Sequence, residues 1–371
     1  MQTGYKYISF EDCLERIPKT EKIWSSDYNQ TGIYPIVSQE ELFISGYWNN
    51  SKHVLQLEHP VVVFGDHTRV LKYIDFDFVI GADGVKVLSP KPFLLPKFFY
   101  YYLKWVNIPS LGYSRHYKLL KQITIAVPPK YEQEQIVSEL DLLSGIIDKQ
   151  KAQLKELDNL AQSIFYDMFG DPVENEKGFG HKKIEEVCSV TSSTRIFAYE
   201  YSESGIPFYR GKEVSELSRG ESISSELYIS LERYSQLLDD HNVPCLNDIL
   251  ITAVGTIGNI WVVNTSKPFY FKDGNIIWLR NINFSELNSC YFRFSLYKMI
   301  AYEKENMSIG SAYQALTIQN LKKMNILIPS LLLQEKFAEK IENIEKQKET
   351  IIRSIAETQQ LFDSRMAYWF D

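Results

Sequence analysis

A few residues of this chain have types that could do chemistry, and the first of them lie around two adjacent prolines. Methylation of an exocyclic amine commonly uses a loop of Asn, Asp or Ser followed by two prolines and an aromatic residue. The polar first residue of that loop accepts the amine hydrogens. The segment Val127–Tyr131 has the two prolines and the tyrosine, but it begins with a valine that has no acceptor. We therefore interpret this segment as a strand that leads into a helix through proline.

A second possibility is a nuclease, which needs clustered carboxylates and a lysine to hold a metal ion and a water. Asp66, Asp83 and Lys86 are close enough in sequence to form such a set. The second half of the chain has Thr256, Asp273 and Ile276 at the corresponding places, so the set is not repeated. A nuclease site is therefore not predicted.

Glycines and histidines also lack the spacing of a cofactor or metal site. Gly81–Gly84 and Gly255–Gly258 match neither G-x-G-x-x-G nor a P-loop, so a cradle for a nucleotide or S-adenosylmethionine is not expected. The six histidines show no i, i+4 pair and no Glu-x-x-His spacing, so a metal site is not supported. We expect no catalytic residue, cofactor site or metal site in this chain.

The residues best suited to a binding role lie in loops beside predicted strands. Arginine can bond both acceptors of guanine, Asn and Gln can pair with adenine, and Tyr, Ser and Lys bond phosphates. Any surface loop contains such residues, so each is also compatible with an ordinary surface role. The predicted DNA contacts are His67, Thr68, Arg69, Arg115, His116, Lys118, Arg195, Tyr209, Arg210, Lys212, Lys272, Ser311, Tyr313 and Gln314.

The elements that position these loops occur twice. Leu120–Ile136 returns 201 residues later as Leu321–Phe337, and the correspondence continues without a gap through the helices that follow. Nearer the start of each copy, Val61–Gly65 matches Ile251–Gly255 at a smaller offset, so loops of the second copy are longer. An internal repeat governs the interpretation of the whole fold. This one predicts two half-molecules in tandem, and a partner that itself has two similar halves.

Each copy ends in a predicted helix of about 36 residues, roughly 54 Å long. Apolar residues recur there in alternating steps of four and three, which is the seam of a coiled coil. We expect the two helices to pair antiparallel, with Gln150, Lys348 and Thr358 helping to fix the register and with Leu361 and Ile352 widening the second apolar face. The first seam is Ile136, Leu140, Leu143, Ile147, Gln150, Leu154, Leu157, Ala161, Ile164 and Met168. The second is Phe337, Ile341, Ile344, Lys348, Ile351, Ile355, Thr358, Phe362, Arg365 and Trp369.

The globular parts are predicted to be mixed α/β. Short β-branched runs indicate strands, and Pro96–Val106 and Ser289–Glu303 indicate helices. The predicted strands are Val61–Phe64, Val85–Leu88, Ile123–Val127, Ile249–Val254, Ile260–Val263 and Ile276–Leu279. The fold class is therefore α+β, with two mixed α/β domains in a pseudo-two-fold tandem repeat and two long helices pairing as an antiparallel coiled coil. We expect domain boundaries at residues 1–129, 130–170, 171–329 and 330–371.

Composition limits the possible partners and compartment. The net charge is −7, of which residues 131–171 contribute −6 and residues 331–371 contribute −2, so the globular parts are close to neutral. Near-neutral domains bind a polyanion weakly unaided, so positive charge from another subunit is expected if the chain binds DNA. The four cysteines are scattered and no apolar run could span a membrane, which favours a cytoplasmic protein.

Taken together, these features resemble the specificity (S) subunits of Type I restriction-modification systems. The resemblance covers essentially the whole chain, and its most specific elements are Leu120–Ile136 and Leu321–Phe337, each with Pro-(Pro/Ser)-x-x-x-Gln-Glu before its long helix. Weaker support comes from Asn247–Gly255 and Gly310–Gln319. Ser330 replaces the second proline in the second copy, which we interpret as a tolerated change.

The resemblance implies a non-catalytic chain in a larger complex. Each globular part would be a target recognition domain reading one half of a split double-stranded DNA sequence. The paired helices would set the spacer and dock two modification subunits, which use S-adenosylmethionine to methylate adenine N6 after base flipping. Restriction subunits would translocate and cleave DNA with ATP and Mg. Base-reading residues of the family vary with the target, so none is assigned by motif.

Two alternatives from other classes remain open at this stage. A self-contained nuclease or methyltransferase would show activity as the isolated chain. A coiled-coil adaptor with two binding heads and no DNA role would show no salt-sensitive DNA binding, even with its partners.

Overall fold

The computed structural model describes residues 5–112, 114–307 and 316–371. It consists of two compact units, and each long helix contributes to both of them. The first unit contains the chain up to Gln153 together with Ile351–Asp371, and the second contains Leu154–Thr350. Within the described residues, no helix is long and apolar enough to cross a membrane.

The first unit is built from short strands, two short helices and parts of both long helices. Its strands are β1 Lys6–Ser9, β2 Leu14–Glu15, β3 Tyr34–Val37, β4 Gly46–Trp48, β5 Val54–Leu55, β6 Val61–Gly65, β7 Leu71–Ile74, β8 Phe78–Ile80, β9 Val85–Pro90 and β10 Thr124–Val127. Its helices are α1 Pro96–Trp105, α2 Tyr117–Leu120 and the first part of α3 Lys130–Phe169. Two four-stranded sheets have the orders β2-β9-β6-β7 and β4-β3-β8-β5, and β1 pairs with β10.

The second unit has the same plan with additional helices. Its strands are β11 His181–Lys183, β12 Ser189–Thr191, β13 Tyr201–Ser202, β14 Ile206–Tyr209, β15 Tyr228–Ile229, β16 Ile249–Thr252, β17 Ile260–Val262, β18 Tyr270–Phe271, β19 Ile276–Arg280 and β20 Asn325–Leu327. Its helices are α4 Ile184–Val187, α5 Gly211–Ser218, α6 Leu231–Asp239, α7 Ser289–Met307, α8 Ile318–Lys323 and α9 Leu331–Phe370. The sheet orders are β12-β19-β16-β17 and β13-β15-β14-β18, and β11 pairs with β20.

The strand register confirms the repeat and corrects two matched positions within it. Strands β3 and β8 run parallel, as do β14 and β18. The Asp66 N–H donates to Gly84 O at 2.7 Å, and the Ala253 N–H donates to Asn275 O at 2.8 Å. Ala253, and not Thr256, therefore takes the place of Asp66 in the second unit. By the same register Ile277, and not Ile276, takes the place of Lys86. The sequence alignment was wrong here because it matched Gly65 to Gly255, whereas strand β16 already ends at Thr252.

The glutamine of the repeated Gln-Glu pair explains why this segment occurs twice. Gln133 is buried, its Oε1 accepts the Leu95 N–H at 2.8 Å, and its Nε2 donates to the carbonyls of Phe93 and Pro128 at 3.0 and 2.9 Å. Each glutamine thus joins the start of a long helix to the segment before a shorter one. Gln334 repeats all three bonds with Asn288 N–H, Glu286 O and Pro329 O.

The long helices pair antiparallel in both units. In the first unit, Glu139 of α3 bonds Arg365 of α9, and Gln150 Nε2 donates to Ser354 Oγ at 2.7 Å. Residue numbers rise along one helix while they fall along the other, which is the antiparallel arrangement. In the second unit, Asp158 Oδ1 lies 2.8 Å from Lys348 Nζ.

The seam prediction holds for most positions and fails for three. Gln150 and Lys348 cross between the helices as expected. Thr358 instead donates its hydroxyl to the Ser354 carbonyl of its own helix at 2.8 Å, so it does not link the two helices. Ile352 and Leu361 are about half exposed, so they lie outside the buried seam that they were expected to widen.

In each unit, buried apolar side chains of the long helices pack into the core of that unit. In the second unit, the Phe169 ring centroid lies 4.6 Å from that of Tyr291 and 5.3 Å from that of Phe337, and all three side chains are fully buried. In the first unit, Phe362 and Met366 of α9 belong to the core cluster that includes Ile136 and Leu140 of α3. Burying each such side chain contributes roughly 1.5–3 kcal/mol, so the residues after Ile351 form part of the core of the first unit.

Candidate nucleic-acid interface

The turn that follows β6 presents three predicted contact residues of the first unit. The His67 N–H donates to Gln39 Oε1 at 3.2 Å, and the Thr68 hydroxyl donates to Gln39 O at 2.6 Å. Arg69 has a positive φ of 63°, and its N–H closes the turn on Gly65 O at 2.8 Å. Its guanidinium donates to Ile108 O at 3.0 Å. The turn is therefore held at both ends, with Thr68 and Arg69 exposed and His67 half-buried.

His116 requires a correction, because its ring lies inside the first unit. The side chain is 1% exposed, and its Nε2 accepts the Leu111 N–H at 3.0 Å. Since Nε2 is an acceptor, the proton is on Nδ1, which donates to Asp66 O at 3.0 Å. A histidine with both ring nitrogens bonded in the interior cannot also bond a base edge. Its role is to hold the loop that carries Arg115.

Asp66 is the residue around which this loop is organised. Its carboxylate Oδ1 accepts the Tyr117 N–H at 2.7 Å, and its carbonyl accepts the His116 N–H at 2.8 Å. Lys86 Nζ lies 3.8 Å from the other carboxylate oxygen. Asp66 is thus buried and engaged by the backbone, which is a structural use of the carboxylate and differs from that of a hydrolytic site.

Arg115 and Lys118 are the exposed cations that the loop presents. The Arg115 side chain is 68% exposed and its Nη2 lies 3.8 Å from an oxygen of Asp83, itself largely exposed. The hydrogen bond from the Gly84 N–H is the main cause that lowers the pKa of the Asp83 carboxyl, and the charge of Arg115 lowers it further. An exposed ion pair of this length contributes little stability, so Arg115 can exchange Asp83 for another anion. Lys118 lies exposed on α2.

In the second unit, Tyr209 and Arg210 also require correction. The Tyr209 ring stacks on Phe269 at 4.9 Å, and burial raises the pKa of its hydroxyl. Arg210 Nη2 donates to Glu213 and Glu226 at 2.7 and 2.8 Å, and these bonds raise the pKa of the guanidinium. Because Glu213 is buried, the Arg210 charge is neutralised within the domain. Both side chains therefore stabilise the fold around the start of α5.

The remaining predicted residues of the second unit lie at its surface or outside the described residues. Lys212 is exposed, with its Nζ 3.9 Å from Glu226, and Lys272 is half-buried beside Tyr209, whose carbonyl accepts the Lys272 N–H at 2.9 Å. Arg195 is exposed, with its guanidinium 5.1 Å from the centre of the Phe197 ring. The predictions for Ser311, Tyr313 and Gln314 fall outside the described residues.

The structure thus brings some of the predicted DNA-contacting residues together and identifies other residues that hold their loops in position. In the first unit, Asp66 and Gln39 connect the turn after β6 to neighbouring loops. Gln39 is 29 residues from Thr68 along the chain, and nothing in the sequence signals that contact. Each unit therefore carries exposed basic side chains on loops or first helical turns near strand ends, an arrangement suited to phosphates and base edges.

Comparison with known proteins gives a consistent picture over both units. The family model described as "Type I restriction modification DNA specificity domain" matches the chain twice, at residues 5–159 and 176–359. A Haemophilus influenzae protein, S.HindORF215P, named among type I restriction enzyme specificity subunits, is 30% identical over 85% of this chain and 79% of its own. The MjaIX specificity subunit of Methanocaldococcus jannaschii is 26% identical over 71% of this chain and 67% of its own.

Solved structures share the fold at low sequence identity. The crystal structure of the type I restriction-modification S subunit from M. genitalium superposes with a TM-score of 0.55 and 15% identity, covering 99% of this chain and 96% of that one. A chain from a study of complex assembly and conformational transition of the type I R-M system gives the same TM-score and identity, covering 100% and 98%. These similarities show that the tandem architecture is a known one.

Proposed function

The chain belongs to the family of Type I restriction modification DNA specificity domains, and we propose that it is the DNA-reading subunit of such a complex. The observation that carries the proposal is the double family match, which places one DNA specificity domain in each half of the repeat. A family of specificity domains implies recognition and not catalysis. Each domain would read one half of a split target in double-stranded DNA.

The loops at the strand ends are the proposed reading elements. In the first domain, Arg115 and Arg69 would reach base edges or phosphates, with Thr68 and Lys118 beside them and Asp66 holding the loops in place. This assignment rests on their exposure and on the hydrogen bonds that fix the backbone. In the second domain, we propose Arg195, Lys212 and Lys272 together with Ser311, Tyr313 and Gln314.

We infer the domain boundaries from the ends of the long helices. We propose recognition domains at residues 1–129 and 171–329 and spacer helices at 130–170 and 330–371. The continuous helices α3 and α9 support this division, although each compact unit contains parts of both helices. The helices would set the distance between the half-sites.

The remaining chemistry would come from partner subunits. Two modification subunits with S-adenosylmethionine would methylate adenine N6, and restriction subunits with ATP and Mg would translocate and cleave, while this chain binds none of these cofactors. The net charge of −7 supports a need for partners, since an acidic chain has little long-range attraction for DNA. A cytoplasmic complex is part of the same proposal.

Exchange of one recognition domain tests the proposal. Residues 1–129 would be replaced by the matching part of another specificity chain, and the methylated sequence would be read with the same modification subunits. We expect one half-site to change while the other half-site and the spacer stay the same. A change in both half-sites, or in neither, would contradict the assignment of one half-site to each domain.

A further inference from the structure

A second, shorter repeat lies in the two recognition domains, outside the segments already aligned. Residues 22–28 read Lys-Ile-Trp-Ser-Ser-Asp-Tyr, and residues 195–201 read Arg-Ile-Phe-Ala-Tyr-Glu-Tyr. Both segments therefore have the order basic residue, isoleucine, aromatic residue, two variable residues, acidic residue, tyrosine. The offset between them is 173 residues, one more than that between β3 and β14.

The two segments also fold in the same way. Each forms a single 3₁₀ turn, at Ser25–Asp27 and at Ala198–Glu200. The aromatic residue precedes the turn in extended conformation, with φ −77° and ψ 149° for Trp24 and φ −85° and ψ 158° for Phe197. The correspondence is therefore structural as well as sequential.

Buried residues on both sides anchor each turn and direct its aromatic ring outward. Ile23 and Ile196, which precede the rings, are buried in the domain cores. Tyr28 and Tyr201, which follow the turns, pack against the same clusters. Between these anchors, the Trp24 side chain is 61% exposed and that of Phe197 is 46% exposed.

Exposure of one aromatic ring on a protein surface needs no explanation. Exposure at corresponding places in two domains, each time on an anchored 3₁₀ turn, is different, because the same local sequence and conformation recur with the ring. In both cases a cation directly precedes the isoleucine. The Arg195 guanidinium lies 5.1 Å from the Phe197 ring centre, and Phe197 stacks on exposed Tyr199 at 5.5 Å with the rings 7° from parallel.

The turns lie beside the candidate DNA-contacting residues of their own units. In the first unit, the Ala82 N–H donates to Ile23 O at 2.7 Å, next to Asp83, which pairs with Arg115. Lys22 Nζ donates to the carbonyl of Val85, two residues after Asp83, at 3.1 Å. In the second unit, the Ser193 hydroxyl donates to Phe271 O at 2.8 Å, next to Lys272.

We propose that Trp24 and Phe197 are equivalent DNA contacts that do not depend on base sequence. Domains that read different half-sites share only the tasks common to both, and holding the duplex is such a task. An exposed ring beside a cation suits this task, since the ring can pack against a deoxyribose of any sequence while Lys22 or Arg195 meets a phosphate. This inference rests on the proposed function, and it adds residues that specify no bases.

The test uses the complete complex of this chain with its modification subunits. Fluorescence anisotropy would give Kd for a duplex with the bipartite target and for an unrelated duplex of equal length. The variants are Trp24→Ala, Phe197→Ala and both together, with Trp24→Phe to retain a ring. Phe284→Ala is the matched control, because Phe284 is also 46% exposed in the second unit.

We expect each alanine variant to weaken binding to both duplexes by roughly tenfold, the effect of losing the apolar contact of one ring with the sugar backbone. The double variant should lose about the product of the two factors, Trp24→Phe should restore most of the affinity, and Phe284→Ala should bind as wild type does. The methylated sequence should remain unchanged. Because the changed side chains are exposed, thermal unfolding should also be unchanged.

Three results would overturn the inference. Wild-type affinity in the double variant would show that the rings do not contact DNA. Loss of complex assembly, measured by mass photometry, would assign the turns to a protein partner. Weaker binding to the target duplex alone, or a changed methylated sequence, would make them base-specific contacts. Failure of the wild-type complex to prefer the bipartite duplex would instead refute the proposed function itself.

Discussion

Replacement of Gln133 by leucine should destabilise the first unit far more than the loss of one surface side chain would. Leucine has nearly the same volume but can neither accept the Leu95 N–H nor donate to the carbonyls of Phe93 and Pro128. The site is buried, so water does not readily replace the lost partners. The variant therefore leaves three backbone groups unsatisfied at the junction of α1 and α3.

The magnitude follows from the cost of unsatisfied polar groups. Each costs roughly 1–3 kcal/mol, and carbonyls lie at the lower end because they retain a second acceptor site. The total is about 3–5 kcal/mol of the free energy of unfolding. For a unit of this size the melting midpoint shifts by about 2–4 °C per kcal/mol, so we expect a decrease of roughly 10 °C.

Hydrogen exchange measured by mass spectrometry locates the effect in the intact chain. In Gln133→Leu, exchange should accelerate around Leu95 and at the start of α3, while the second unit stays protected. Gln334→Leu provides the reciprocal case, because it removes the same three bonds at Asn288, Glu286 and Pro329. Gln135→Leu is the control, because this exposed glutamine lies only two residues from Gln133 on the same helix.

Equal stability of Gln133→Leu and Gln135→Leu would refute this reasoning. The repeated Gln-Glu pair would then have to be explained by something other than the junction of two helices. Acceleration of exchange in both units by either single variant would also contradict it, because the bonds of each glutamine lie within one unit.

Three further predictions concern the helix pair and the loops. The Arg365 hydrogen bond holds the pKa of Glu139 below its ordinary value, so this pair stabilises the fold fully above the unfolded-state pKa of about 4.3, and the stabilisation is lost as pH falls through the folded-state pKa. Glu139→Gln should therefore flatten the decrease in urea midpoint below about pH 4.5. An unchanged pH profile in this variant would argue against the pair. Seven residues inserted into both α3 and α9 should lengthen the spacer between half-sites and leave the half-sites unchanged, as read by methylation mapping; altered half-sites with a constant spacer would contradict this. Lys118→Ala should weaken binding to all duplexes and reduce the salt slope by about one, whereas Arg115→Ala should also relax preference at one half-site; identical effects would place both residues on phosphates.

The helices and the repeat could be predicted because they follow from short-range rules. A heptad seam is visible in sequence spacing, and both Gln150 and Lys348 cross between helices as their seam positions suggested. Thr358 does not, because a hydroxyl so close to the backbone bonds the carbonyl of Ser354 in its own helix. The side chain forms a hydrogen bond within its own helix, which heptad spacing alone does not reveal.

The loop residues were harder to predict because their partners are distant in sequence. His116 has the composition of a contact residue, but Asp66, 50 positions earlier, draws its ring into the core. Arg210 bonds Glu226, 16 positions later, in addition to the nearby Glu213. The repeat at Trp24 and Phe197 could not be predicted from sequence, because seven residues at a new offset are a weak signal without their shared conformation.

Mapping of N6-methyladenine across a host genome, with and without this gene, is the most direct test of the proposed function. The host must carry the matching modification subunits, and single-molecule sequencing would read the methylated sites. We predict the loss of one bipartite methylated motif, made of two short unlike half-sites separated by a few unread bases, when the gene is removed. An unchanged methylation pattern in that host would contradict the assignment of DNA specificity to this chain.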